Sequence, residues 1–533
     1  MSRVLEIVLD VVSVTPQAST EAVAPPGQIP SDFAVTMRAV LPQLVPQLVS
    51  ETDAGEPVAT VMFDRAGALA RAGWRIGVET CGAAQCVVVS SRRTWTPGIV
   101  VVEPIFTACL HANGLDTELF DAAPEPFREV LAAAGPLEPS ASLSAARSRW
   151  QWPRDGVDVE IVLDADVGAP HDAGGCLHEL RVSVPWAEDE DAEPLVDALF
   201  ACAHELAGAL PAFVRLSDAL ERAAAGSVAG DACAVRAEPV DLGSACTAGA
   251  ALVAIGANIS AHWFGNDWGV RDSTAKANAV STEFIHQMRV AQRRLRTAMR
   301  IFSHWQDKTW CERIKPELDW FGGLLGEARD RDVFVEATLP ALAAADDDPA
   351  RWRAVLDEAE AQRLVARARL REALAAPRYA HVALAWLQWL DALARTVRAD
   401  GTDARALHRH ANKRVRRYYQ QLAQAQKLTA IDDAGRHRVR INAKYLRYTL
   451  EFFAPIASRR TREDTVRTLV RLQGVLGDGN DAAVALRYLE RMDAEPYQLG
   501  FARGWCEAMK RYTAKEGERL LRELHPPKIT RAV

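Results

Sequence analysis

The chain has 533 residues, enough for two to four domains of ordinary size. Its nine cysteines are scattered and form no zinc-ribbon or CxxC pair, Cys81 and Cys86 being separated by four residues, which excludes a disulfide scaffold and suits a reducing cytoplasm. The net charge of −7 conceals an asymmetry: residues 240–533 hold 48 Lys/Arg against 36 Asp/Glu, while residues 1–239 hold 15 against 34. A basic half calls for an acidic partner such as nucleic acid, a phosphate polymer or an anionic surface, and the acidic half serves to solubilise or to shield it. No strongly apolar stretch reaches the roughly 20 residues of a membrane span. The charge-free run from Leu242 to Asn266 has an apolar centre, Ala248 to Ile259, that is too short.

In chain order, the first half reads as strands with long loops. Leu5 to Val12, Trp74 to Glu79, Cys86 to Ser90, Ile99 to Val102, Val157 to Leu163 and Leu177 to Val184 are short Val/Ile-rich runs separated by Pro/Gly/Asp-rich stretches, a pattern for an antiparallel sheet or barrel. Helices are expected over about Phe33 to Leu41 and about Glu193 to Ala224, the second following the acidic loop Glu188 to Asp191. From about Ser244 strand signals vanish and amphipathic Ala/Leu/Arg helices take over, with breakers at Asp346 to Pro349, Gly401 and Ala430 to Gly435. The expected class is α+β: an antiparallel β-barrel-like domain over 1–225, a linker over 226–243, and an all-α domain over 244–533 built of two repeated helical bundles, about 244–394 and 395–533.

An internal repeat is the strongest signal. The segment from His286 through Arg289 and Arg293 to Arg296 aligns with that from His437 through Arg440 and Lys444 to Arg447 at a separation of 151 residues. Leu325-Gly326-Glu327-Ala328-Arg329-Asp330 aligns with Leu476-Gly477-Asp478-Gly479-Asn480-Asp481 at the same separation. Two motifs that keep one offset without a gap argue for a duplicated unit with pseudo-two-fold packing.

At 100° per residue, His286, Arg289, Arg293, Arg296 and Arg300 fall within an arc of roughly 80°, opposite Ala291, Leu295, Ala298, Met299 and Phe302. His437, Arg440, Lys444 and Arg447 make the same stripe, which Glu451 ends at the position of Arg300. Arg409, Lys413, Arg416 and Arg417 form a third cluster, with His408 and His410 beside them. Most charge runs are solvated faces, but those mix signs so that i to i+4 pairs offset one another, and these stripes hold almost no carboxylate. Aligning so many like charges costs stability unless an anion neutralises them, and a phosphate polymer does so through forked Arg contacts and Lys point charges. For His286 and His437 a core or capping role stands beside phosphate contact. Glu327 with Asp330, and Asp478 with Asp481, are read as partners of stripe arginines or as caps, with a divalent-metal site as the alternative. Trp305, Trp310, Trp320, Trp352, Trp386 and Trp389 are read as core. Arg367 and Arg371 lie outside the stripes and suit charge-matched controls.

These stripes, with Tyr448 and Glu451 to Phe453 and the two Leu-Gly motifs, resemble the CHAD family, the conserved histidine α-helical domains, over about residues 244–525. The resemblance implies paired helical bundles, a basic central groove or pore, binding of inorganic polyphosphate without a cofactor, and association with polyphosphate granules in the cytoplasm. The first half resembles the CYTH-type triphosphate-tunnel domains in Phe63-Asp64, Trp74 to Ile76, Arg147 to Trp150, Val159 to Asp164, Glu179 and Ser217 to Arg222. The family's opening Glu-x-Glu-x-Lys here reads Glu6-Ile7-Val8-Leu9-Asp10; Gly77 replaces a strand arginine, and Arg181 replaces a carboxylate beside Glu179. Triphosphate hydrolysis needs carboxylates for Mg²⁺ or Mn²⁺ and basic groups for the phosphates, so these replacements imply a barrel that has lost catalysis. Arg75, Arg147, Arg149, Glu160 and Glu179 are left as structural salt bridges or remnants of a site. The expected function is polyphosphate binding. The alternatives are a metal-dependent inorganic triphosphatase and a nonspecific nucleic-acid binder, although no aromatics are interleaved with the basic residues.

Overall fold

The structure, a computed structural model, describes residues 3–11, 40–43, 45, 47–50, 55–82, 84–110, 115, 117–168, 177–225, 233–243, 245, 247–271, 278–399, 404–425 and 427–530. Two compact units result, Met1–Cys233 with Leu374–Gln388, and Ala234–Ala373 with Trp389–Val533.

The first unit is built on strands β1 (Arg3–Val11), β2 (Val49–Ser50), β3 (Glu56–Asp64), β4 (Trp74–Cys81), β5 (Ala84–Thr96), β6 (Ile99–Cys109), β7 (Glu138–Arg154), β8 (Val157–Gly168), β9 (Leu177–Trp186) and β10 (Ala212–Arg215). All pairings are antiparallel, in the order β1-β6-β5-β4-β3-β7-β8-β9, and β9 pairs back onto β1, closing a ring of eight strands. Strand alternation gives the ring its two faces. On β1, Leu5, Ile7 and Leu9 are fully buried and carry the apolar side, while Glu6 and Asp10 alternate with them and pair with arginines of the interior. On β4, Ile76 and Val78 pack with Val87, Val89, Phe127 and Leu131, and Arg75, Gly77 and Glu79 line the interior. Helices α1 (Ala68–Arg71), α2 (Glu125–Ala134), α3 (Ala192–Ala209) and α4 (Ala219–Ala224) complete this part.

Five of the six strands read from sequence fall within observed ones, the sixth, Leu5 to Val12, does so up to Val11 with Val12 outside the described residues, and the long β3 and β7 are added. β7, with sequence EPSASLSAARSRWQWPR, is too poor in β-branched residues to announce itself; its pairing with β3 and β8 makes it a strand. The continuous helix expected over Glu193 to Ala224 is corrected. After α3 the chain turns extended at Leu210, Pro211 follows, and Ala212–Arg215 pair with Val8–Val11 of β1 before α4 begins. Most of the helix expected over Phe33 to Leu41, residues 33–39, lies outside the described residues.

The second unit is helical: α5 (Ala248–Phe264), α6 (Asp267–Arg271), α7 (Asn278–Ile301), α8 (Lys315–Val333), α9 (Leu339–Ala344), α10 (Arg353–Ala375), the end of α11 (Pro377–Ala399), α12 (Ala404–Ala423), α13 (Asp433–Phe452), α14 (Val466–Leu489) and α15 (Pro496–Glu523). The duplication is written into its irregularities. The 3₁₀ turn Ser303–Trp305 recurs as Ala454–Ile456, the π-helical turn Trp310–Ile314 recurs as Thr461–Thr465, and α8 and α14 both start at the next residue, each 151 positions on. Equivalent helices meet across the repeats: α7 packs on α13, α8 on α14 and α5 on α12. A shared core of Phe334, Leu339, Leu342, Trp352 and Val355 with Ala485, Leu489, Met492 and Ala502 ties the copies together. Trp310, Trp352 and Trp389 are buried as expected, and Trp305 and Trp320 are partly buried.

Two sequence readings change. Gly435 does not break a helix; it sits in the first turn of α13, where its N–H donates to the capping Asp432 carboxylate at 2.7 Å. Gly401 lies outside the described residues. Arg367 is no free surface charge: it is 5 % exposed and donates to the fully buried Asp332 at 2.8 Å and to Thr282 Oγ1 at 2.7 Å. Removing one partner of a buried pair strands the other. Arg367→Leu should therefore lower unfolding free energy by about 3–5 kcal/mol in urea titration; a loss under about 1 kcal/mol would show that the pair is not structural.

Candidate functional site

The stripes read from sequence do not face outward in isolation. α7 and α13 pack together, and their basic residues turn toward one another, with α8 and α14 bringing one aspartate each. The charges acting most strongly on Arg289, Arg440 and Lys444 come from these four helices: Arg289, Arg293 and Arg296 of α7, Asp330 of α8, Arg440 of α13, and Asp481 of α14. Five basic side chains, Arg289, Arg293, Arg296, Arg440 and Lys444, thus stand against Asp330 and Asp481, and all five are partly buried.

The titration behaviour reports this crowding. Lys444 is pushed down to about 6, first by burial and then by repulsion from Arg440, Arg293 and Arg289, with Asp481 offsetting part of it. Burial and neighbouring arginines also make Arg289 and Arg440 weaker bases than a free guanidinium. Asp330 is raised above the ordinary carboxylate range by burial, which outweighs Arg289, and by its neighbour Asp481. Arg289 donates to the Gly322 carbonyl at 2.9 Å and Arg296 to the Leu318 carbonyl at 3.2 Å, with Asp319 3.4 Å from Arg296. These guanidinium groups lie over two of the three glycines of α8. A Cβ at Gly322 would lie 2.2 Å from Arg296, and one at Gly326 would lie 3.0 Å from Arg289. At the equivalent Gly477 a Cβ would meet nothing within 4 Å. Among the described residues, the side chains of Arg293 and Lys444 have no hydrogen-bond or ion-pair partner, and the buried Nε atoms of Arg293 and Arg440 are unsatisfied.

The sequence model of the CHAD domain matches residues 254–490. The chain carries a CHAD domain. Solved structures similar to the chain include the CHAD domain from the plant Ricinus communis, at 26% identity over 56% of this chain and 100% of that one, with a TM-score of 0.47. PptA from Streptomyces chartreusis is similar at 19% identity over 50% of this chain and 98% of that one, with a TM-score of 0.35. The Hippeastrum protein HpAC1, for which a dominant triphosphatase activity is described, is similar at 15% identity over 42% and 96%, with a TM-score of 0.26. No curated protein matches the chain.

Not every stripe residue of the CHAD domain joins the central group. Arg300 is exposed, lies 4.6 Å over the Tyr445 ring and reaches its hydroxyl at 3.4 Å. Arg447 pairs with Glu451 at 3.2 Å and stacks on Tyr448. His286 is partly buried and held at about 4, by burial first and then by Arg329 and Arg293, so it is neutral at physiological pH; His437 is exposed. Arg409, Lys413, Arg416 and Arg417 are exposed on α12, outside the set of groups that act on Lys444. Of the paired carboxylates, Asp330 and Asp481 reach the stripes, whereas Glu327 lies 4.0 Å from Arg331 and Asp478 is exposed. The constant offset marks Asp330 and Asp481 as equivalents; that both enter the cation group emerges only from the packing of α8 and α14.

The ring of the first unit offers a cavity of about 180 Å³ lined by Arg75, Glu79, Arg147, Asp164, Glu179, Arg181 and Asp218. Its arginines are matched internally. Arg75 makes two 2.7 Å bonds to Asp218, the N-cap of α4; Arg92 reaches Glu6 and Asp218, each at 3.1 Å; Arg147 and Arg181 share Asp164 at 2.7 and 2.6 Å. Asp10, standing where the tunnel motif has lysine, binds Arg215 and, at 2.9 Å, Arg222. Arg181 thus serves Asp164 rather than completing a carboxylate pair with Glu179, which burial and Asp218 raise to about 8. Arg149 lies 3.9 Å from Glu160 in a partly exposed pair outside this network.

Lys444 supplies a test of the crowding. Its folded value lies far below the ordinary lysine value, so the folded state loses stability relative to the unfolded chain as pH falls from about 10 toward 6. Lys444→Met should therefore gain more stability over wild type at pH 6 than at pH 10 in urea unfolding. An effect independent of pH would show that Lys444 is not crowded by cations.

Proposed function

We propose that the CHAD domain binds inorganic polyphosphate at the cation group shared by α7 and α13. The observation that carries this reading is the excess of basic groups between the two repeats: among the described residues Arg289, Arg293, Arg296, Arg440 and Lys444 converge, with Asp330 and Asp481 among them and Asp319 at Arg296 to offset them. A phosphate chain supplies a negative charge on every unit and accepts both forked and single hydrogen bonds, so one polymer neutralises both stripes at once. Arg300, Arg447, Arg409, Lys413, Arg416, Arg417 and His437 extend the basic surface as outlying contacts. Granules are the cellular form of the polymer to which the protein attaches. The ring is a structural unit in this reading, because its arginines already have carboxylates.

With full-length protein and long-chain polyphosphate, Arg293→Gln combined with Lys444→Gln should weaken binding by at least about tenfold, each lost charge-assisted contact being worth about 1.5 kcal/mol or more. Measured at about pH 5, where Lys444 keeps its proton, the log-log salt slope should become shallower by about 1.5. Arg503→Gln combined with Arg511→Gln, both exposed on α15, removes at least as much charge at any pH and should change affinity less than twofold. Equal losses in the two pairs would mean diffuse attraction. DNA at equal phosphate concentration should compete poorly; equal competition would favour a general polyanion binder.

Asp330 and Asp481 are the resident counter-charges, and they compete with any incoming anion. Asp330→Asn with Asp481→Asn should raise polyphosphate affinity by about tenfold or more at low salt. Weaker binding would show that the aspartates position the arginines instead.

A further inference from the structure

The register of the ring brings together three cysteines that are remote or unremarkable in sequence. Cys86 of β5 and Cys109 of β6 are direct cross-strand partners, with their sulfurs 3.8 Å apart. The neighbouring pair is hydrogen-bonded, Leu110 N–H donating to the Gln85 carbonyl at 2.8 Å. Hydrogen-bonded and non-hydrogen-bonded pairs alternate along an antiparallel ladder, so Cys86 and Cys109 occupy a non-hydrogen-bonded pair, where side chains lie closest. The roughly 4.5 Å Cα separation of such a pair is within the span of a disulfide. Cys81 of β4 lies only diagonally from Cys86, because Glu79 is the residue directly opposite. Cys109 is exposed and Cys86 partly so. Glu79 lines the ring's cavity, so its partner Cys86, and in turn Cys109, share its face of the sheet toward the ends of their strands.

We propose that Cys86 and Cys109 are a reversible dithiol–disulfide site that staples β5 to β6 near the strand ends. Two thiols release two protons and two electrons as one S–S bond forms. A hydroperoxide accepts them when its O–O bond breaks to give an alcohol and water, and a small-molecule disulfide accepts them when its S–S bond breaks to give two thiols. The reverse exchange with a thiol reductant restores the pair. The staple closes the 86–109 hairpin and fixes the strand ends near the cavity.

The test is peptide mapping of the reduced full-length protein after exposure to oxidised glutathione and, separately, to hydrogen peroxide. Trypsin places Cys81 and Cys86 together in residues 76–92 and Cys109 in residues 94–128, so Cys81→Ser is mapped alongside wild type. A cross-link between the two peptides is expected in both proteins, lost on adding dithiothreitol and absent in Cys86→Ser. A cross-link that disappears in Cys81→Ser, a glutathione adduct that never resolves, or thiols that stay free would overturn the proposal.

Discussion

Like charges meeting at the contact of α7 and α13 are the constraint around which the helical unit is arranged. In a duplicated fold whose copies pack about a pseudo-two-fold axis, each residue near the axis meets its own equivalent. A basic stripe turned to the axis therefore meets a basic stripe. The fold lessens the cost in three visible ways. Asp330 and Asp481 enter as counter-charges, Arg289 and Arg296 spread their charge onto backbone carbonyls of α8, and Lys444 is depressed to about 6, so that above that pH it sheds its proton unless an anion holds it. None of the three fully neutralises the group, and the remaining positive potential is what an anionic polymer would meet.

The ring solves the same electrostatic problem differently. Arg75, Arg92, Arg147, Arg181, Arg215 and Arg222 are as buried as the stripe residues or more so, yet each has a carboxylate within ion-pair distance. A buried pair whose desolvation is offset by its partner gains little from a ligand, because an incoming phosphate must first displace an oxygen already bonded at about 2.7 Å. Arginine count does not distinguish a binding site from a structural network. Pairing does.

Legibility in the sequence followed periodicity. The 151-residue offset located the equivalent helices, and the π-helical turns, which the sequence did not announce, keep the same offset. Helical phase gave the composition of the stripes but not their direction: only the packing of α7 on α13 shows that Arg293 and Lys444 face each other while Arg300 turns to Tyr445. β7 and β10 were hidden because their strand character comes from neighbours rather than from β-branched side chains, and the apolar tail of the helix expected after Glu193 concealed Ala212–Arg215. The nearness of Cys86 and Cys109, 23 residues apart, depends on the register of one hairpin, which no spacing rule supplies.

The two copies are not equal. In the first repeat Arg289 is tied to α8 over Gly326, and His286 is partly buried and uncharged; in the second, the space above Gly477 is open, Arg440 keeps an unsatisfied Nε, and His437 is exposed. Glu451 replaces Arg300 and holds Arg447, so the second stripe is shortened at its C-terminal end and left loose at Arg440 and Lys444. A tethered arginine meets an anion already oriented and loses little entropy, whereas an unanchored one can shift to follow a ligand's charges. Arg289 and Arg296 thus supply the fixed part of the group, and Arg293, Arg440 and Lys444 the adaptable part, an arrangement suited to a polymer whose repeating charges must be accommodated in more than one register.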